Sequence, residues 1–165
     1  MSVTFSALVA PIAFVNVCAD GEERIPVRHE TYPQARAALP AHTQTCGQED
    51  CAVYGVYPHP VYPEGTPEEV NVSNANARYL LGLLGLDTED LCGTLPGADL
   101  ARLVLRALNR GFDDTGMGAS APLREAGRAQ FIDCGRPAGY GRARLEELQQ
   151  LALWASTNDK EITWG

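Results

Sequence analysis

The sequence predicts an α+β domain: a mixed sheet with an N-terminal antiparallel hairpin, about three helices and a C-terminal βαβ unit. Three observations predict it. Period-two alternation of apolar residues dominates the first third of the chain. Leucine-rich stretches with helical spacing dominate the second half. The last forty residues read strand, helix, strand.

Val3, Phe5, Ala7 and Val9 alternate with small polar residues and mark a half-buried strand. Ile12 to Ala19 and Arg24 to Glu30 flank Asp20-Gly21, a pair that tolerates positive φ and therefore signals a hairpin. Pro26 has no N–H to give a ladder, so the second strand belongs at an edge. An alanine-rich segment from 32 to 40 predicts a short helix, with Pro33 in its first turn and Pro40 as its stop. Ala52 to Tyr57 reads as a strand, followed by an extended, irregular stretch through Pro58, Pro60, Pro63 and Pro67. Glu69 to Val72 is another short strand.

Ser73 or Asn74 caps a helix from about Ala75 to Leu84, with Tyr79, Leu80, Leu83 and Leu84 as its inward stripe and Gly85 at its end. Pro96 to Asn109 is a second amphipathic helix, turned inward through Leu100, Leu103, Val104, Ala107 and Leu108. Gly111 to Gly127 reads as loop. Ala129 to Cys134, Gly141 to Ser156 and Glu161 to Trp164 form the βαβ unit, whose strands run parallel if they share a sheet. The 165 residues fit one domain, strand- and loop-rich over 1–72 and helix-rich over 73–165.

Composition narrows the function. The formal net charge of −8 repels a phosphate backbone and disfavours direct coating of nucleic acid. The apolar run Phe5 to Val17 has no Lys or Arg before it and is broken by Pro11 and Asn16, so it does not read as a signal peptide. No run is long enough to span a bilayer. Five scattered cysteines are odd in number and suit a reducing compartment better than a secreted disulfide framework. The expectation is a soluble, cytoplasmic protein.

Three constellations carry chemistry. The first is Asn71, Ser73, Asn74 and Asn76, where a strand passes into a helix. Helix N-terminal amides attract anions, and these side chains would add neutral hydrogen bonds to a polar ligand. The same residues also serve as ordinary caps. The second is the Cys134–Arg142 junction, where Gly135 and Arg136 offer backbone amides and a guanidinium to a phosphate or carboxylate. Its glycine spacing fits neither the dinucleotide fingerprint nor a P-loop, and turn chemistry accounts for the glycines equally well. If both junctions end at one sheet edge, they face one crevice.

The third constellation is His42, Cys46, Cys51 and His59, four N and S donors in one loop-rich stretch. They could hold zinc, although Cys-x4-Cys departs from finger spacing; free thiols or a local disulfide are the alternatives. No other cofactor is predicted. Asp113 and Asp114 could bind a cation or act as acid and base, but such pairs are common turn formers. Tyr54, Tyr57 and Tyr62, interleaved with prolines, suit either a partner-binding patch or a packed loop.

Asn71-Val72-Ser73-Asn74-Ala75-Asn76-Ala77 with its leucine-rich helix resembles a segment of small proteins of bacteria and their tailed phages. So does Ile132-Asp133-Cys134-Gly135-Arg136 through Gly139-Tyr140 to Trp164-Gly165. The resemblance covers about residues 70–165 and brings no function with it. By class alone it implies an inhibitor of a host system or a minor virion or assembly protein. The sequence thus favours a binding protein acting through protein–protein contact, with homo-oligomerisation open. The alternative is a binding protein or enzyme for a small polar ligand or nucleotide at the two junctions. The enzyme form would draw on Asp133, Cys134 or Asp113-Asp114.

Overall fold

The computed structural model describes residues 2–18, 27–41, 55–119 and 135–165. The fold is α+β, with two antiparallel sheets. The chain divides into two compact units, Met1–Leu8 with Pro67–Gly165, and Val9–Thr66.

In the larger unit, β1 (Ser2–Ala7), β5 (Val70–Ser73), β6 (Gly93–Pro96) and β7 (Glu161–Trp164) form a four-stranded sheet in the order β5-β1-β7-β6. The period-two pattern sets its faces: Val3, Phe5, Val70, Val72, Ile162 and Trp164 are buried, and Phe5 stacks on Trp164 at 6.0 Å between ring centres. Three helices, α2 (Asn74–Leu84), α3 (Gly97–Arg110) and α4 (Tyr140–Thr157), add Leu80, Leu81, Leu84, Leu100, Val104, Leu145, Leu148 and Leu151 to the same core. Gly85 ends α2 in the left-handed region (φ 74°), a conformation glycine adopts without a Cβ penalty. Gly97 lets α3 approach α4 closely, since a Cβ there would sit 2.6 Å from that of Ala155.

The C-terminal helix and final strand match the expected βαβ unit, but the pairing differs. The strand expected at 129–134 lies outside the described residues. The neighbours of β7 are β1 and β6, both antiparallel, with Phe5 opposite Trp164 and Leu95 opposite Ile162. With both edges of β7 occupied, no parallel partner lies beside it. The mixed sheet expected from the sequence is therefore antiparallel throughout its described pairs.

In the smaller unit, β2 (Ala13–Cys18) is central between β3 (Arg28–His29) and β4 (Val56–Val61). The antiparallel β2–β3 pairing, Phe14 opposite His29, is that of the expected hairpin, and β3 is an edge strand as Pro26 requires. Its Asp20-Gly21 turn lies outside the described residues. Strand β4 runs straight through Pro58 and Pro60, where the sequence predicted irregular chain. Two residues apart, both prolines lack an N–H on the same side. On an edge strand that side can be the open one, so the ladder to β2 survives. Helix α1 (Tyr32–Ala37) begins with a reciprocal capping box between Thr31 and Gln34, and its buried Ala35 carbonyl accepts from Asn16 Nδ2 at 3.0 Å.

Candidate functional site

The two junctions singled out in the sequence meet. Arg136, at the second, donates to Asn76 Oδ1 in the first turn of α2 at 3.4 Å, and its guanidinium lies 4.1 Å from the centre of the Tyr79 ring. A cation over an aromatic face contributes about 0.5–1 kcal/mol where water has access. The Arg136 backbone exchanges two 2.8 Å hydrogen bonds with Met117, forming an isolated bridge that fixes the base of the side chain. Gly135 (φ 73°) directly precedes that bridge, and a Cβ there would run into the Met117 carbonyl. The glycine therefore serves the turn's backbone.

At the first junction the capping role accounts for Ser73, whose Oγ accepts from Asn76 N–H at 3.3 Å. Asn71 faces the sheet and donates to Thr4 Oγ1 at 2.6 Å, opposite it in the β1–β5 register. The Asn74 side-chain oxygen is buried without a hydrogen-bond partner among the described residues.

The second junction is filled from a distance. Gly139, the N-cap of α4, has no side chain to offer the free amides of the first turn. Asp114 supplies it: Oδ1 accepts from Gly141 N–H and Oδ2 from Arg142 N–H, each at 2.9 Å. Its carbonyl also accepts from Gly139 N–H at 2.9 Å. A carboxylate in this position satisfies two orphan donors and the positive end of the helix dipole. It occupies the place that a bound anion would take. Gly141 makes room for it, because a Cβ at 141 would lie 2.8 Å from both the Phe112 ring and the Tyr79 hydroxyl.

Asp113 turns the other way, accepting from Thr115 N–H at 3.1 Å and Thr115 Oγ1 at 2.8 Å. These bonds hold its carboxyl below the ordinary carboxylate range. The two neighbouring aspartates thus point apart, one to cap a helix and one to close a turn. Tyr79, which donates to the Asp113 carbonyl at 3.3 Å, has its phenol pushed up by burial and by the Asp114 charge, with Arg136 opposing. Tyr140 is raised by burial, against the pull of Arg144 and a hydrogen bond with Asn76. The described cluster is therefore Arg136 stacked on Tyr79 and Arg144 over Tyr140, both phenols protonated at neutral pH, beside carboxylates engaged by amides and hydroxyls.

Other expected residues fall elsewhere. His42, Cys46, Cys51, Tyr54, Asp133 and Cys134 lie outside the described residues. His59 is exposed on β4, opposite Val15. No group of three His, Cys, Asp or Glu side chains able to hold a metal occurs among the described residues. Tyr79, expected only as core, and Met117, expected only as loop, both hold Arg136. A Tyr one turn beyond an Asn-rich cap was the available sequence signal, but an inward stripe explains it as readily. No described helix is long and apolar enough to cross a membrane. Comparisons with protein-family models, curated proteins and solved structures return no match.

Proposed function

We propose that the chain is a binding protein that works through contact with another protein rather than by catalysis. The observation that carries this reading is the aromatic display around β4. Tyr57, within β4, and Tyr62, directly after it, are 47% and 41% exposed on a strand stiffened by Pro58 and Pro60. Tyrosine gives a large contact area with little rotamer entropy to lose, and proline removes backbone entropy in advance. An edge strand lacking N–H groups at alternate positions is also a poor template for another strand, which leaves recognition to the side chains. Inhibition of a host system in the cytoplasm, or a part in virion assembly, is the role that the resemblance of residues 70–165 to phage and bacterial proteins would give the chain as a whole.

The competing reading, a small polar ligand at the junctions, draws on the meeting of Asn76 and Arg136. Against it, Ser73 and Asp114 already accept from backbone amides, and Asn71 and Arg136 already donate to the Thr4 and Asn76 side chains. A photo-crosslinking residue placed at 57 or 62, in cells that express the protein naturally, should give a protein adduct of one discrete mass. The same probe at 71 should give none. Absence of adducts at 57 and 62, with a retained small mass in the native mass spectrum that Asn76→Ala or Arg136→Ala removes, would overturn the proposal in favour of the ligand reading.

A further inference from the structure

The larger unit carries two exposed surfaces of opposite charge. The outer side of α3 presents Arg102, Leu105, Arg106 and Arg110, at spacing i, i+3, i+4 and i+8. Leu105 is 49% exposed between two arginines. Arg102 pairs with Asp99 one turn back, and Arg110 leans onto the Leu83 carbonyl at 3.3 Å. Arg106 has no ion pair among the described residues. In a chain with 13 basic and 21 acidic residues, this face reverses the prevailing charge.

The second surface is a groove of about 280 Å³ between the start of β5 and α4. Pro67 and the buried Val70 and Leu151 line it together with Glu68, Glu69 and Glu147. Glu68 and Glu69 are exposed and without ion pairs among the described residues, whereas Glu147 is held by Arg144 at 2.6 Å. The strand order puts β5 and β6 at opposite edges of one sheet. The groove adjoins β5 and α4, and α3 packs mainly on α4 and also touches β6 and β7.

We propose that the protein self-associates head to tail, the Arg102–Leu105–Arg106 face of α3 in one copy seating in the acidic groove of the next. The guanidiniums meet Glu68 and Glu69, and Leu105 covers the apolar floor at Val70 and Leu151. Different patches meet, so the interface is heterologous and propagates as a chain or closes as a ring. A polyanion such as nucleic acid fits this face less well, because the leucine at its centre has no use for a phosphate and the net charge of −8 repels the strand. The ridge spans little more than one helical turn and rests on exposed charges, so the interface is weak and sensitive to salt. This inference stands apart from the tyrosine surface of the smaller unit.

Sedimentation velocity of the full chain at low ionic strength should show concentration-dependent species larger than a monomer. They should disperse at about 0.5 M salt, where screening acts within a few ångströms. Arg102→Ser with Arg106→Ser removes the ridge, and Glu68→Gln with Glu69→Gln removes the groove. All four positions are exposed, and circular dichroism checks the fold. Each double variant alone should associate at least about tenfold more weakly, since a lost charge pair at an interface costs on the order of 1.4 kcal/mol or more. Mixed one to one, they should form a heterodimer and stop there, because the first retains a groove and the second a ridge. A wild-type monomer at every concentration, oligomers indifferent to both variants, or a mixture without heterodimer would each overturn the proposal. So would an oligothymidylate probe that binds the wild type through Arg102 and Arg106 in the absence of self-association.

Discussion

The helix starts at the two junctions differ in where their caps come from. At α2 the cap is local: Ser73 reaches an amide three residues ahead. At α4 the cap position is a glycine, and the carboxylate arrives from Asp114, 27 residues before Gly141. A local cap stabilises its own helix and little else. A distant cap also ties a loop to the helix, and here that loop carries Met117, one of the groups that hold Arg136. The second junction should therefore be the more fragile and the more consequential when broken.

That contrast orders the expected effects. Asp114→Ala should cost the most, about 2 kcal/mol, because it strips two backbone amides of their acceptor and frees the loop. Thermal unfolding measures it, and the Tyr79 environment should change at the same time. If Asp114→Ala costs no more than Ser73→Ala, the distinction between local and distant caps fails. Gly141→Ala should cost about 1–2 kcal/mol, since the added methyl presses on the Phe112 ring and the Tyr79 hydroxyl, which must shift to admit it. Ser73→Ala should cost about 1 kcal/mol with no change around Arg136. Arg136→Lys should be milder, about 0.5–1 kcal/mol, through loss of the planar stack on Tyr79.

The pH dependence sharpens the same contrast. Folding raises the phenols of Tyr79 and Tyr140, so the unfolded chain gives up these protons first as pH rises. Stability from them is complete below the ordinary tyrosine value near 10 and is lost above it. Asp113 acts at the other end: its lowered carboxyl gives stability that is present above the ordinary aspartate range and lost as the solution turns acid. Tyr79→Phe should flatten the alkaline limb of a denaturation-midpoint profile; an unchanged limb would remove Tyr79 as its cause.

Legibility in the sequence followed the same division between local and distant. β1, β5, β7 and the three long helices are readable because burial imposes a period of two or 3.6 on neighbouring residues. Ser73 and Gly85 are readable because capping is a matter of adjacent residues. β6 escaped notice: Gly93-Thr94-Leu95-Pro96 has no fully buried residue to impose an apolar alternation, and it ends in proline. β4 was displaced for a related reason, since prolines argue against a strand unless its edge position is known. The placement of β7 between β1 and β6 joins segments more than sixty residues apart and leaves no local trace. In the candidate site, both junctions were visible as polar clusters at helix starts. Their contact through Arg136 and Asn76, and the use of Asp114 as a cap, depend on tertiary placement that no spacing encodes.

The central claim is that these junctions are occupied by the chain's own side chains and are not open to an anion. Titration of inorganic phosphate into ¹⁵N-labelled protein, wild type beside Asp114→Ala, tests it most directly. The wild type should show no saturable shift at the Gly141 and Arg142 amides. Asp114→Ala, with those amides freed, should acquire weak saturable binding there. Saturable binding by the wild type at Gly141, Arg142 or Asn76 would contradict the account and return the junctions to the status of a ligand site.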